Sequence, residues 1–300
     1  MKIHYSNEVQ AALNDHKPVL ALESTIIAQG MPYPHNLEFA QQAESICRGK
    51  GAVPATIAII NGKVCVGLEK DQIELIARDP SVKKFSRREL GLVLSEKWHG
   101  AATVSATMHI ARSASIRVFS TGGIGGVHRG AEATFDISED LTALGSIPMV
   151  VVSAGAKAIL DIGRTLEYLE TLGVVVVGYK TSEFPAFYSR HSGFHGIHQV
   201  DSAKHIARMY RNHTGCGLHS ALLVANPVSE KDEIPARDIE GIIAAACTSA
   251  QEKNISGKKL TPYLLAEIVR ATGGRSLETN RALALNNVGL GAKISREVHK

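Results

Sequence analysis

The sequence predicts an α/β protein in which helices cover a largely parallel, mixed sheet, and three observations predict it. Short runs rich in β-branched residues recur along the chain, stretches with apolar residues at helical spacing lie between several of them, and after Pro235 the pattern turns almost wholly helical. The runs are Val19–Leu22, Thr56–Ile60, Arg117–Ser120, Met149–Ser153, Val174–Tyr179 and Leu222–Ala225, and each reads as a buried strand. Leu37–Arg48, Ile159–Leu172 and Ser202–Tyr210 read as the intervening helices. One segment breaks the parallel pattern. In Ile59-Ile-Asn-Gly-Lys-Val64 an Asn-Gly pair stands between apolar runs and supplies the positive φ angles of a type I′ hairpin, so the sheet is mixed. The late helices are expected at Ile239–Glu252, Leu264–Ala271 and Ser276–Leu285, with Ser276 capping the last, as lids over chemistry placed earlier in the chain.

The chain has 300 residues, 44% apolar and 21% charged, which suits a soluble globular protein with a substantial core. No Pro/Ser-rich linker divides it, so residues 1–300 read as a single catalytic domain. Its formal charge of +4 comes from 33 basic and 29 acidic residues that are interspersed along the chain. Such a distribution gives no case for nucleic acid but leaves enough Lys and Arg to hold a small phosphorylated substrate. Cys47, Cys65, Cys216 and Cys247 form no CxxC pair, which argues against a zinc cluster or a disulfide framework and favours buried small apolar residues. Met1–Gln10 lacks a secretory apolar stretch, and no run reaches the roughly 20 residues of a membrane helix. A cytoplasmic protein is expected.

Four constellations carry chemistry. The strand at Phe119 runs straight into Thr121-Gly-Gly-Ile-Gly-Gly-Val-His128-Arg129-Gly130, where residues without Cβ let backbone amides approach an anion. His128 stands where a dinucleotide fingerprint needs its third glycine, and Ala131 and Glu132 follow Gly130 in place of a P-loop Lys and Ser, so neither NAD nor ATP is indicated. A tight connection without a ligand explains the glycines equally well. Lys157 lies just past the carboxyl end of the apolar run Met149–Ser153, where open α/β sheets bind ligands. A lysine partly removed from water loses its charge more easily, and its neutral amine is the nucleophile of Schiff-base chemistry, although a snorkelling structural lysine is the commoner occupant of such a position. Glu23 ends a strand of apolar residues, and burial there would make it a proton donor; pairing with an arginine or capping with Ser24 and Thr25 is the plain alternative. Asp136, Ser138, Glu139 and Asp140 gather oxygen ligands suited to hard divalent cations, yet such a cluster is more often a solvated helix start. His191, His195 and His198 read as an exposed loop with no acidic residue between them.

Longer motifs join these constellations. Ala21-Leu-Glu-Ser-Thr-Ile-Ile27, Gly30-Met-Pro-Tyr-Pro34, Val53-Pro-Ala-Thr-Ile-Ala58, Ser86-Arg-Arg88, the glycine segment extended to Glu132, and Ser153-Ala-Gly-Ala-Lys157 together resemble the pseudouridine-5′-phosphate glycosidase family, also called indigoidine synthase A-like, over nearly the whole chain. The resemblance implies a three-layer α/β/α arrangement, a homotrimer, and reversible cleavage of the C–C bond of pseudouridine 5′-phosphate to uracil and ribose 5-phosphate. It implies that Lys157 forms the covalent adduct with C1′, that Glu23 is the general acid, and that Asp136 belongs to a Mn2+ site. It also implies that Lys84 and Ser138 contact the phosphate, with Glu139 and Asp140 in the same segment, that Val104 and Asn280 line the substrate pocket, and that His128 faces the site. Where the family carries Ser-Ala-Asp after the metal aspartate, this chain has Ser138-Glu139-Asp140. Two rivals use some of the same residues. A Schiff-base aldolase on sugar phosphates needs Lys157 but no uracil recognition, and a phosphometabolite-binding regulator needs the glycine loop but no turnover.

Overall fold

The computed structural model describes residues 1–255, 257 and 260–300. In chain order its first part contains β1 (Ile3–Tyr5), α1 (Asn7–Asn14), β2 (Val19–Leu22), α2 (Thr25–Gln29), α3 (His35–Gly49), β3 (Val53–Ile60), β4 (Lys63–Val66), α4 (Lys70–Arg78), β5 (Lys83–Phe85), α5 (Leu90–Ser95), β6 (Gly100–Ala102) and α6 (Val104–Ser113). There follow β7 (Val118–Ser120), β8 (Val127–His128), α7 (Ala131–Thr134), α8 (Glu139–Ser146), β9 (Val150–Ser153), β10 (Leu160–Asp161), α9 (Ile162–Thr171), β11 (Val175–Tyr179), β12 (His198–Val200), α10 (Ala203–Gly215) and β13 (Leu222–Ala225). The chain finishes with α11 (Ala236–Glu252), α12 (Leu260–Ala271) and α13 (Arg275–Val298). The six strands expected from the sequence are all present, each within two or three residues of its expected bounds.

Eleven strands form one sheet, in the order β1-β4-β3-β2-β7-β9-β13-β11-β12, with β6 joined to β3 and β5 to β6. All the ladders from β3 through β2, β7, β9, β13 and β11 to β12 are parallel. Antiparallel pairing occurs where β3 meets β4 and β6. The β3–β4 hairpin turns at Asn61 and Gly62, with φ of 48° and 69°, as the Asn-Gly pair predicts. Strands buried on both faces must be apolar throughout, and Val150, Val151 and Val152 of β9 are wholly buried. Helix α13 packs on α3 and α10, and α8 packs on α6 and α9, giving two helical layers about the sheet. The chain runs from β2 to β3 on one side and later returns to β7 on the other side of β2. The β2–β7 junction is therefore a topological switch point, where an open α/β sheet leaves a crevice beyond its strand ends.

Four expectations need correction. The helix predicted from Ile159 starts at Ile162, because Leu160 and Asp161 pair instead with His128 and Val127 and the Asp161 carboxylate caps the Arg164 amide at 3.0 Å. Ser276 does not cap the last helix. Gly274 does so at φ 88°, while Ser276 is fully buried and accepts from the Thr272 hydroxyl at 2.9 Å. That helix runs on to Val298 and packs against β2, β7 and β9, so it belongs to the core and is no late lid. Cys47 and Cys65 are buried as expected, but Cys216 is exposed and Cys247 half-buried.

Candidate active site

Three strand ends supply the centre of the site. Glu23 follows β2, Thr121 follows β7, and Lys157 lies four residues beyond β9. The loops after β7 and β9 are fixed to each other by backbone bonds, Ile124 N–H to Gly155 O at 3.1 Å and Lys157 N–H to Ile124 O at 3.0 Å. The lysine is therefore held on the same ladder that carries Thr121. Glu23 is 8% exposed, and its Oε1 accepts from the Thr121 hydroxyl. Burial raises its pKa above the ordinary carboxylate value, and the Asp140 charge adds to that; the Lys157 and Lys84 ammonium groups and the Thr121 hydroxyl pull the other way. Burial dominates, so the carboxyl is set up as a proton donor. Its partner is a threonine, and the plain alternative of an arginine pair is not what this structure holds.

Glu23, Lys84, Lys157 and Asn280 line one cleft, whose empty space is about 530 Å3. Gly122 and Gly123 form part of its floor, and Thr261, Pro262 and Leu265 of α12 border it. Four of the sequence-predicted site residues thus converge from β2, β5, the loop after β9 and α13. His128 and Asp136 stand beside them. The His128 amide donates to the Asp136 carbonyl at 3.0 Å, and both side chains are partly buried. Burial lowers the His128 pKa, the Asp136 carboxylate opposes that, and the Lys157 and Lys84 ammonium groups reinforce it.

Of the remaining predicted residues, the side chains of Val104, Ser138, Glu139 and Asp140 are not among the described residues lining that cleft. Val104 opens α6 and Ser138 caps α8, so two helix N-termini meet there. Asp140 is 5% exposed, and its carboxylate accepts from the Ser105 amide at 2.9 Å and the Gly125 amide at 2.8 Å. Both its oxygens bind the protein itself. Glu139 faces the Arg87 guanidinium at 3.2 Å and the Arg88 amide at 3.3 Å. The acidic cluster is therefore mainly a brace between α6, α8 and the glycine loop. Gly125 is needed for this brace, since a Cβ there would lie 2.2 Å from Ser138 Oγ and 2.7 Å from Asp140 Oδ2.

Sequence reasoning missed a second brace. Asn287 of α13 donates to the carbonyls of Thr121 at 2.8 Å and Gly122 at 3.3 Å, and it accepts from Asn226 at 2.9 Å. Only their polar character inside apolar stretches signalled these two residues. The histidine segment is exposed at His191 and His195 as expected, but Glu183, from before the segment, accepts from the Ser192 and Gly193 amides at 2.7 Å and bonds His191 Nδ1 at 2.8 Å. Among the described residues no group of three His, Cys, Asp or Glu side chains could hold a metal by itself. Asp136 offers a hard oxygen donor, which suits an ion that takes its other ligands from water and phosphate.

Comparison with known proteins extends these observations. The family model described as indigoidine synthase A like protein matches residues 8–297. A Nocardioides protein named pseudouridine-5′-phosphate glycosidase is 53% identical over 97% of this chain and 95% of its own length. One of the same name from Geobacillus kaustophilus is 50% identical over 98% of each. Among solved structures, an indigoidine synthase A-like protein from Thermotoga maritima superposes with a TM-score of 0.91 at 36% identity, covering 99% of this chain and 97% of that one. The prealnumycin C-glycosynthase AlnA, solved with ribulose 5-phosphate, gives a TM-score of 0.91 at 38% identity over 99% and 97%.

Proposed function

The chain belongs to the indigoidine synthase A-like family, and on that premise we propose that it is a pseudouridine-5′-phosphate glycosidase. The reaction is the reversible conversion of pseudouridine 5′-phosphate and water to uracil and ribose 5-phosphate. The observation that carries this reading is the convergence of Lys157, a buried Glu23, Lys84 and Asn280 on one cleft at the switch point of the sheet. The names of the relatives and the sugar phosphate bound by AlnA support the substrate class.

The bond to be broken joins two carbons, so uracil cannot leave through nitrogen as an ordinary base does. The Lys157 amine forms a bond to C1′ as the C1′–O4′ bond opens, and O4′ takes the proton of Glu23. The new secondary ammonium returns a proton to the Glu23 carboxylate. The nitrogen lone pair then forms C=N as the bond from C1′ to uracil C5 breaks, and Glu23 delivers that proton to C5. Water adds to the iminium and releases ribose 5-phosphate, with the free amine and protonated Glu23 restored. The carboxyl gives and takes a proton twice, which is why its raised pKa matters.

The phosphate is held, in this reading, by Lys84 and the Ser138 hydroxyl, the two residues that the resemblance assigns to it. Glu139 and Asp140 serve the Ser138 segment by holding it, and Asn280 faces the base. Asp136 would hold a Mn2+ ion, with His128 beside it, and the ion would supply positive charge to the phosphate. The resemblance also leads us to read the assembly as a homotrimer in the cytoplasm. None of the described helices is long and apolar enough to cross a membrane.

Borohydride reduction with ribose 5-phosphate should add the reduced sugar phosphate to Lys157, detected by peptide mass, and Lys157→Ala should show neither adduct nor formation of the C-nucleotide from uracil and ribose 5-phosphate. An adduct elsewhere, or activity retained by Lys157→Ala, removes the lysine from the mechanism. A Schiff-base aldolase would form the adduct but give no uracil-dependent product.

A further inference from the structure

Glu23 lines a second, smaller cavity on the side of the sheet that faces α3 and α13, together with Thr56, Ser120, Phe39, Ala43 and Val288. The carboxyl thus stands between the substrate cleft and this rear chamber. The chamber offers about 20 Å3 to water-sized occupants, against the ~10–15 Å3 that one water needs. Thr56 and Ser120 flank Leu22 in register on β3 and β7, so their hydroxyls project to the same face. Ser120 Oγ is buried and has no hydrogen-bond partner among the described residues, an expensive state for a hydroxyl unless a water meets it. Thr56 Oγ1 continues the line outward, donating to Glu44 Oε1 at 3.2 Å. Glu44 of α3 is itself 9% exposed and is met by Arg48 at 3.1 Å, whose side chain is nearly half exposed and also binds Glu8 at 2.8 Å. Burial raises the Glu44 pKa, with Arg48 and Thr56 opposing it, so this carboxyl, like Glu23, can carry a proton.

We propose that Glu23 exchanges its proton with solvent through this rear chamber, by a water bonded to Ser120 and Thr56 and then by the Thr56 hydroxyl and the Glu44 carboxyl. The inference rests on the assignment of Glu23 as the acid and base of the glycosidase reaction. Substrate seated in the cleft blocks its mouth, and a carboxyl reached only from that side would keep its proton until release. Hydroxyls, water and carboxyls each donate and accept, so the line passes a proton without net charge separation.

The test runs the reaction toward synthesis in D2O, where Glu23 takes the proton from uracil C5. Deuterium entering C5 of unreacted uracil, divided by C-nucleotide formed, reports how often that proton escapes before it returns. The near-isosteric Thr56→Val should lower this ratio about fivefold, as expected for loss of one hydrogen-bonded link, and Thr56→Ser should restore it. A packing defect would lower both rates and leave the ratio unchanged, and an unchanged ratio in Thr56→Val overturns the relay. A wild type that forms no product and exchanges no C5 hydrogen overturns the reaction assigned above. The chamber is then judged by a crystal structure: an ordered water bonded to Ser120 Oγ and Thr56 Oγ1 supports the route, and a dry chamber refutes it.

Discussion

At the scale of single residues, the pKa of Glu23 is a contest between burial and three groups that favour its charge. Thr121 is the member of that contest easiest to isolate, because its hydroxyl both orients the carboxyl and stabilises its ionised form. Thr121→Val should raise the Glu23 pKa further, moving the alkaline limb of the kcat profile to higher pH. It should also lower kcat by roughly tenfold, the worth of one hydrogen bond in the transition state, and Thr121→Ser should recover both. A rate loss with the limb unmoved would mean that Thr121 only packs. The positions of Glu23 and Lys157 at the ends of apolar strands were legible in the sequence, while the roles expected of them came from the family resemblance, since position alone favoured a structural carboxylate and a structural lysine. The role of Asp140 was not, since its partners Ser105 and Gly125 lie 35 and 15 residues away and a carboxylate devoted to backbone amides looks the same in sequence as a ligand.

At the scale of elements, α13 explains why the site was only partly legible. Short apolar runs rich in β-branched residues and alternating with helical stretches identify parallel strands, because strands of a covered sheet are buried on both faces. A helix threading the core carries Ser276, Asn280, Asn287 and Ser295 among its buried residues, and these interrupt the apolar period on which its length was judged. Each has a partner or a cleft that only the tertiary structure supplies. Asn287 ties α13 to the loop that carries Thr121 and Gly122. Asn287→Leu keeps the volume but strips two carbonyls and Asn226 of their partner, and should destabilise the protein by about 2–4 kcal/mol in denaturant titration. Because the loop it holds also positions Glu23, kcat should fall along with stability. A loss of stability with full kcat would show that the loop is held by its bonds to the 154–157 segment alone.

At the scale of the whole molecule, stability and catalysis pull Glu23 in opposite directions. Its folded pKa is raised, so between the ordinary value of 4.5 and that raised value the folded state binds more protons than the unfolded chain. The stability contributed by the group is fully present below 4.5 and is lost as pH rises through the folded pKa. Glu44 acts in the same sense. Asp15, Asp79, Glu132 and Glu267 are lowered by their hydrogen bonds, which by itself favours the folded state as pH rises. They lie at or near the surface, where screening leaves such pairs little weight. Buried Glu183 opposes Glu23 and Glu44, because burial raises its pKa but its bonds to His191 and to the Gly193 and Ser192 amides lower it further, so the contribution of Glu23 is read from a variant of that residue alone. Glu23→Gln removes the titration while keeping the shape and the contact with Thr121. Its Tm should exceed that of the wild type by about 2 °C at pH 8, the low end of the roughly 2–4 °C that about 1 kcal/mol gives in domains of about 150–250 residues, because this chain is longer at 300, and by less at pH 5, while turnover is abolished. Equal Tm differences at the two pH values would show that Glu23 does not titrate over that range in the folded protein. The proton-donor role would fall with that result, because a carboxyl charged throughout could not protonate uracil C5.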